Sequence, residues 1–293
     1  MKLRAYLLML FTVAVWGTTF VVVKDALADA TPLAFNLVRM ALAFLVLSVA
    51  YRSHWREVSR GQSIAGAVVG FFLAMGYQFQ TAGLVVVLVP LFSILPKLRP
   101  PGAKPPRWNA FLGALLAFIG ILLLTVPATG ASLLPDFTSI NIGDVLTFGC
   151  AIGFAFHCLA LGHASPRIRF QPLALLQVGF CALFMGLSMP LASLWGEHPH
   201  MHLTLRLGVA LAVAAVLATA AAFSIQSWAQ SILPATHTAL IMTLEPVFAW
   251  ITSFLVMGER LGLRPASGAI LILAGIALTE LLPQPHVPTA HEA

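Results

Sequence analysis

The sequence predicts an all-α membrane protein of about ten transmembrane helices, arranged as two inverted five-helix repeats. Three observations carry that prediction. Hydrophobic residues make up 59% of the 293-residue chain and charged residues only 9%, against roughly 25% charge in a soluble domain. Too few polar side chains remain to cover a globule in water, so lipid must be the solvent. The apolar residues gather in runs of membrane-spanning length. The chain also says nearly the same thing twice. Gly113, Gly120 and Ile121 return as Gly268, Gly275 and Ile276, and Pro32-Leu33-Ala34 returns as Pro172-Leu173-Ala174. A duplicated set of apolar spans is a mark of secondary transporters.

The spans follow one another with little between them. Lys2 and Arg4 open the first, at 4–26. No small-residue cleavage site follows them, so this run is expected to be a helix and not a removable leader. The next are 32–51, 62–84, 107–126, 142–163, 171–194, 205–227 and 264–282. The run 236–257 is equally apolar apart from Glu245. The run 85–96 completes the series but falls short of the ~20 residues that a crossing needs at about 1.5 Å each. The tail 283–293 holds Pro283, Pro285 and Pro288 and is expected to be disordered.

Basic residues decide between ten crossings and nine. With ten and the amino terminus inside, eleven Lys and Arg flank the inner face and four the outer. If 62–96 were one crossing, the count would be eight against seven. The positive-inside rule therefore favours ten, with both ends cytoplasmic in the plasma (inner) membrane. Five crossings per half is odd, so the halves must be inverted. The net charge of +6 then concerns orientation, and no nucleic acid partner is expected.

The two copies differ in length at one place. They are offset by 140 at Pro32/Pro172 and by 155 at Gly113/Gly268, so the first is 15 residues shorter in between. Gln80 pairs with Gln226 at 146, which places most of the shortage after Gln80. The fourth span is expected to be shortened, with a hairpin turning within the membrane near Gly83.

Polar residues inside spans either glue helices together or line a pathway. Glu245 is the only acidic residue deep within a span. A charge there costs roughly 2.5–3.5 kcal/mol, so it is expected to face a wet cavity and bind protons. Pro246 cannot donate a backbone hydrogen bond and opens the helix beside it. Arg39, eight residues into the second span, either binds a substrate carboxylate, neutralises Glu245 or snorkels to an interface. Trp16 offers a stacking face and an N–H. Thr19 stands opposite His157 in the repeat alignment. Tyr77, Gln80 and Gln226 give two further spans a polar patch. For each of these, helix packing is the alternative reading. Cys150, Cys158 and Cys181 lie in apolar runs and read as small buried residues. His198, His200 and His202 alternate in an outer loop, but no partner motif stands near, so no metal site, cofactor or catalytic residue is assigned. The chain is not expected to be an enzyme.

In that order over two halves, several motifs resemble the EamA family of the drug/metabolite transporter superfamily. They are Trp16-Gly17-Thr18-Thr19-Phe20 with Lys24, Arg39, Val86-Val87-Leu88-Val89-Pro90, Gly143-Asp144, Leu244-Glu245-Pro246, Gly258-Glu259-Arg260 and the glycine pair of the last span. The first repeat would be 5–126, with about 14 residues of the family pattern missing near 84–85, and the second 142–282. The resemblance implies a central cavity and export or exchange of a small metabolite, such as an amino acid or related compound, by alternating access. The competing reading is a non-transporting degenerate paralogue or membrane assembly partner whose short fourth span closes the cavity. Small residues on the fifth and last spans are read as packing, within the fold or in a homodimer.

The ten-crossing arrangement makes a direct prediction. On a background without the native cysteines, a cysteine at Gly83 labels from outside intact cells and one at Lys97 is protected. Labelling of position 97 from outside would contradict it.

Overall fold

Helices form where the apolar runs stand. The computed structural model describes residues 1–78, 85–99, 105–125, 142–195, 198–258 and 262–281. Gln80, the proposed hairpin near Gly83 and the tail 283–293 lie outside them. The first half carries α1 (Lys2–Ala26), α2 (Pro32–Ala50), α3 (Arg60–Gln78), α4 (Val85–Phe92) and α5 (Trp108–Thr125). The second carries α6 (Ile142–Ala164), α7 (Phe170–Ser188), α8 (Leu205–Ala215), α9 (Ala222–Ala229), α10 (Ala235–Met242), α11 (Glu245–Met257) and α12 (Leu263–Leu281). Among the described residues the one β pairing is an isolated bridge between Ala30 and Met201.

Local chemistry sets the ends. Ser59 and Gln62 form a reciprocal capping box at the start of α3, with Ser59 N–H donating to Gln62 Oε1 at 3.0 Å and Gln62 N–H to Ser59 Oγ at 3.3 Å. Thr204 caps α8 by accepting from the Leu207 N–H at 3.1 Å. Gly258, at φ +67°, closes α11 in the left-handed conformation that a side chain would strain. Pro90 sits inside α4, which ends two residues later.

Two irregularities shape the second half. Residues Val216–Ala221 form a π turn between α8 and α9. It inserts extra backbone and re-aims every side chain of α9. The other is a break between α10 and α11. Pro246 has no N–H for the Met242 carbonyl four residues back, and its ring crowds that carbonyl. The chain tightens instead: Thr243 N–H donates to Leu240 O at 3.1 Å and Leu244 N–H to Ile241 O at 3.0 Å. The α ladder resumes with Phe248 N–H to Leu244 O at 2.9 Å. The sequence places the opening at Pro246; the helix stops at Met242, and Pro246 takes the second position of α11.

Among the described residues, five helices are long and apolar enough to cross a membrane: Lys2–Ala26, Pro32–Ala50, Phe170–Ser193, Leu205–Ala229 and Ala235–Val256, the last two running through the irregularities. Shorter apolar helices stand at Trp108–Leu124, Ala151–Ala164 and Leu263–Thr279. Large apolar side chains face outward, with Leu255 72% and Ile270 66% exposed, while Gln177 and Gln226 are wholly buried. That arrangement fits hydrocarbon and not water as the surrounding solvent. The chain is an integral membrane protein.

The halves interlock. α1 packs on α9 and α11, α2 on α7 and α8, α3 on α6 and α7, and α5 on α12. The repeated glycines make the last pairing: a Cβ on Gly120 would lie 2.5 Å from the Gly268 carbonyl oxygen, and one on Gly268 2.5 Å from that of Gly120. Gly113 and Gly275 face each other in the same way. The small residues thus serve contact within the fold. At one end of the bundle the α1–α2 loop meets the segment before α8. Asp29 accepts from Thr204 Oγ1 at 2.7 Å and from Arg206 Nη2 at 2.8 Å, which holds its carboxyl below the usual 3.8. The clasp is therefore fully made above that value and lost as pH falls through the lowered one. The histidine run pairs here too, with Thr31 N–H donating to His200 O at 3.1 Å and His202 N–H to Asp29 O at 2.8 Å.

Gly120→Ala is expected to lower stability by about 1–3 kcal/mol through overpacking against Gly268 and Ile272. Gly208→Ala, where a Cβ meets nothing within 4 Å, serves as the control. Thermal melting in detergent reads both, and equal melting of the two variants would contradict the close crossing.

Candidate functional site

A cavity of about 120 Å³ opens between helices of both halves, room for several waters or one small metabolite. Seven of the residues singled out in the sequence line it: Trp16, Thr19, Arg39, Tyr77, His157, Gln226 and Glu245. Gln80 lies outside the described residues. Lys24 is exposed at the end of α1.

Close backbone contact brings α1 here. A Cβ on Gly17 would lie 2.6 Å from the Glu245 carbonyl oxygen and 2.6 Å from Phe248 Cβ. Only glycine lets α1 lie against the first turn of α11, and that contact sets Trp16 and Glu245 on one cavity. The Trp16 indole N–H donates to the Ala218 carbonyl at 2.8 Å. Ala218 belongs to the π turn, so α1 is pinned to the element that aims α9. Thr19 spends its hydroxyl proton within its own helix, 2.8 Å from Val15 O and 3.0 Å from Trp16 O. Thr18 does the same toward Ala14 O at 2.6 Å, on the exposed side.

Two opposite charges face the cavity. Glu245 stands at the first position of α11, where the helix N-terminus favours a carboxylate by about 0.3–1 kcal/mol. Arg39 is 93% removed from solvent, and its guanidinium lies 4.5 Å from the Tyr77 ring centroid. No ion pair within 4.0 Å joins the two. The Arg39 Nε is buried with no hydrogen-bond partner. A guanidinium and a carboxyl group are thus held on one cavity with no ion pair between them.

Aromatic rings form the walls. Phe223, just after the π turn, lies 5.8 Å from Trp16, 6.3 Å from Tyr77 and 5.9 Å from His157, centroid to centroid. Tyr77 and Phe154 meet edge to face at 5.4 Å. The sequence reading missed Phe223, Asn36 and Thr243. Asn36 stands three residues before Arg39, on the same face of α2, and donates to Tyr77 O at 3.4 Å. Thr243 fills the break between α10 and α11, which Pro246 announces. Phe154 aligns with Trp16 in the repeat, as His157 does with Thr19, and that symmetry was a usable signal.

His157 and Gln226 are tied into the bundle. His157 Nε2 lies 3.0 Å from Gln177 Oε1, and Gln177 Nε2 donates to Ser227 Oγ at 2.8 Å. Gln226 Nε2 donates to Gln230 Oε1 at 3.4 Å, and Gln230 Nε2 to Cys158 O at 3.0 Å. Gln177 was not foreseen, although it is a polar residue within a span.

Comparison with known proteins gives a consistent result. The model of the EamA-like transporter family matches residues 3–126 and 141–281. A protein of Archaeoglobus fulgidus described as an uncharacterized transporter is 31% identical, over 96% of this chain and 87% of its own. The uncharacterized transporter YoaV of Bacillus subtilis is 21% identical, over 89% and 91%. One crystal structure superposes with a TM-score of 0.73 at 18% identity, covering 96% of this chain and 98% of the other, which speaks for the fold alone.

Trp16→Phe keeps an aromatic ring, though a smaller one, and removes the N–H, leaving the Ala218 carbonyl without that donor. The expected cost is about 1–3 kcal/mol, read as a lower melting temperature in detergent. An unchanged melt would show that the bond does not hold α1 to the π turn.

Proposed function

This chain belongs to the EamA-like transporter family, and from that premise we propose that it is a secondary transporter exporting or exchanging a small metabolite, such as an amino acid or related compound. The single observation that carries the reading is the cavity itself, lined from both halves, where Arg39 and Glu245 face the same space and do not pair. Buried charges are costly unless compensated. Charges kept apart on a ligand-sized cavity are available to a substrate and a coupling proton.

In this reading Glu245 binds the proton, Arg39 takes a substrate carboxylate with its forked donors, and Trp16, Tyr77 and Phe223 enclose the apolar part. The break between α10 and α11 lets the carboxylate of Glu245 stand at a helix start inside the membrane, as in transporters with discontinuous helices. Ten helices in two inverted repeats, 5–126 and 142–282, would rock about the cavity to give alternating access. Both termini would lie in the cytoplasm and the chain in the plasma membrane. The cavity lies where helices of both halves meet, the place about which one half would move against the other, and a homodimer is not required for it.

One observation favours a second reading, a non-transporting paralogue or assembly partner. Among the described residues α4 covers Val85–Phe92, which reaches about 12 Å, under the ~30 Å of hydrocarbon. Reconstituted protein that takes up no amino acid or related metabolite would support it.

The deciding variant is Glu245→Gln, tested in proteoliposomes under an imposed pH gradient. Gradient-driven uptake is expected to fall at least about tenfold and to lose its dependence on pH, while exchange of substrate for substrate persists. Uptake that responds to pH as the wild type does would remove Glu245 from the proton's path.

A further inference from the structure

Two hydrogen-bond acceptors on the cavity have no donor. Among the described residues, His157 Nδ1 and Gln226 Oε1 are both buried without a hydrogen-bond partner, and both residues line the cavity. Their polarity follows from what lies behind them. The Ser227 hydroxyl has one proton and gives it to Phe223 O at 2.7 Å. Ser227 Oγ therefore accepts from Gln177, so Gln177 presents its amide nitrogen to Ser227 and its oxygen to His157. That oxygen needs a donor, which fixes the His157 proton on Nε2. A neutral imidazole carries one N–H, so Nδ1 is left as a bare acceptor.

The second chain runs the same way. The Cys158 carbonyl only accepts, so Gln230 turns its nitrogen to Cys158 and its oxygen to Gln226. Gln226 must answer with its nitrogen, which leaves Oε1 free. The two chains interlock, since one begins at His157 and the other ends at its neighbour Cys158. Phe223, which meets the His157 ring at 5.9 Å, stands one helical turn before Gln226 on α9. Two backbone carbonyls thus leave one bare acceptor on each of two side chains that line the cavity. Buried acceptors of this kind are satisfied or they destabilise the fold.

Resting on the transporter reading, we infer that His157 Nδ1 and Gln226 Oε1 form a subsite for a nitrogen group with at least two N–H donors, a primary amine or a primary amide. This subsite is separate from the two charges. It selects substrates by hydrogen bonding, and a site built that way rejects an analogue lacking the group far more strongly than an apolar pocket rejects a missing methylene.

The test is thermal stabilisation of the full-length protein in detergent by three probes. L-leucine carries an amine, 4-methylpentanamide an amide, and 4-methylpentanoate neither. Half-maximal stabilisation is expected at roughly tenfold or more lower concentration for L-leucine or the amide than for 4-methylpentanoate, and the stronger of the two identifies the group. Gln226→Met should erase that preference, and Gln226→Glu, which keeps an acceptor, should retain it. Equal response to all three probes would overturn the subsite alone. Response to none would overturn the subsite and the transporter reading together.

Discussion

The approach of α1 to the first turn of α11 at Gly17 governs the arrangement of the cavity. A side chain at this position would collide with the Glu245 carbonyl and with Phe248. Because it has none, Trp16 and Glu245 share one space, and the Trp16 indole reaches Ala218 in the π turn. That turn orients α9, which brings Phe223 and Gln226 to the opposite wall. The break at Thr243–Leu244 is the other half of the same arrangement. It places the start of α11, with Glu245 at its first position, on the cavity.

The rest of the bundle keeps this contact in register. α5 and α12 meet along a line of glycines, so their separation is set by backbone and not by deformable side chains. α3 is wedged between α6 and α7, and α2 rests on α7 and α8. Asp29 and Arg206 join the loops at one end. Nearly all of these contacts pair a helix of the first half with one of the second. Lipid faces the large apolar side chains, while the glutamines, serines and threonines turn inward and spend their donors on one another and on helix carbonyls.

Much of the fold was legible because hydrocarbon imposes a length and a composition on every span. Lys2–Ala26 and Pro32–Ala50 could be read almost to the residue. The α5–α12 contact was foreshadowed by glycines repeated at the same spacing, although sequence alone left open whether they met within the fold or in a dimer. Glu245 with Pro246 announced a break, and the helix stops four residues before Pro246, at Met242. The π turn left no clear trace, since Val216–Ala221 is apolar apart from Thr219, like its surroundings. Phe223 was unreadable for a related reason: in a chain with 20 phenylalanines, nothing marks the one that a register shift swings inward. The polarity of His157 and Gln226 depends on partners from three helices, which no spacing reveals.

The central claim is that the cavity is a pathway open in turn to each side of the membrane. The most direct measurement is labelling of Thr243→Cys, at the helix break on the cavity, by a membrane-impermeant thiol reagent. The background would lack Cys150, Cys158 and Cys181, and right-side-out and inside-out vesicles would be compared. The account predicts labelling from both sides, each suppressed when a bound substrate fills the cavity. Labelling from one side only, or from neither, would contradict it.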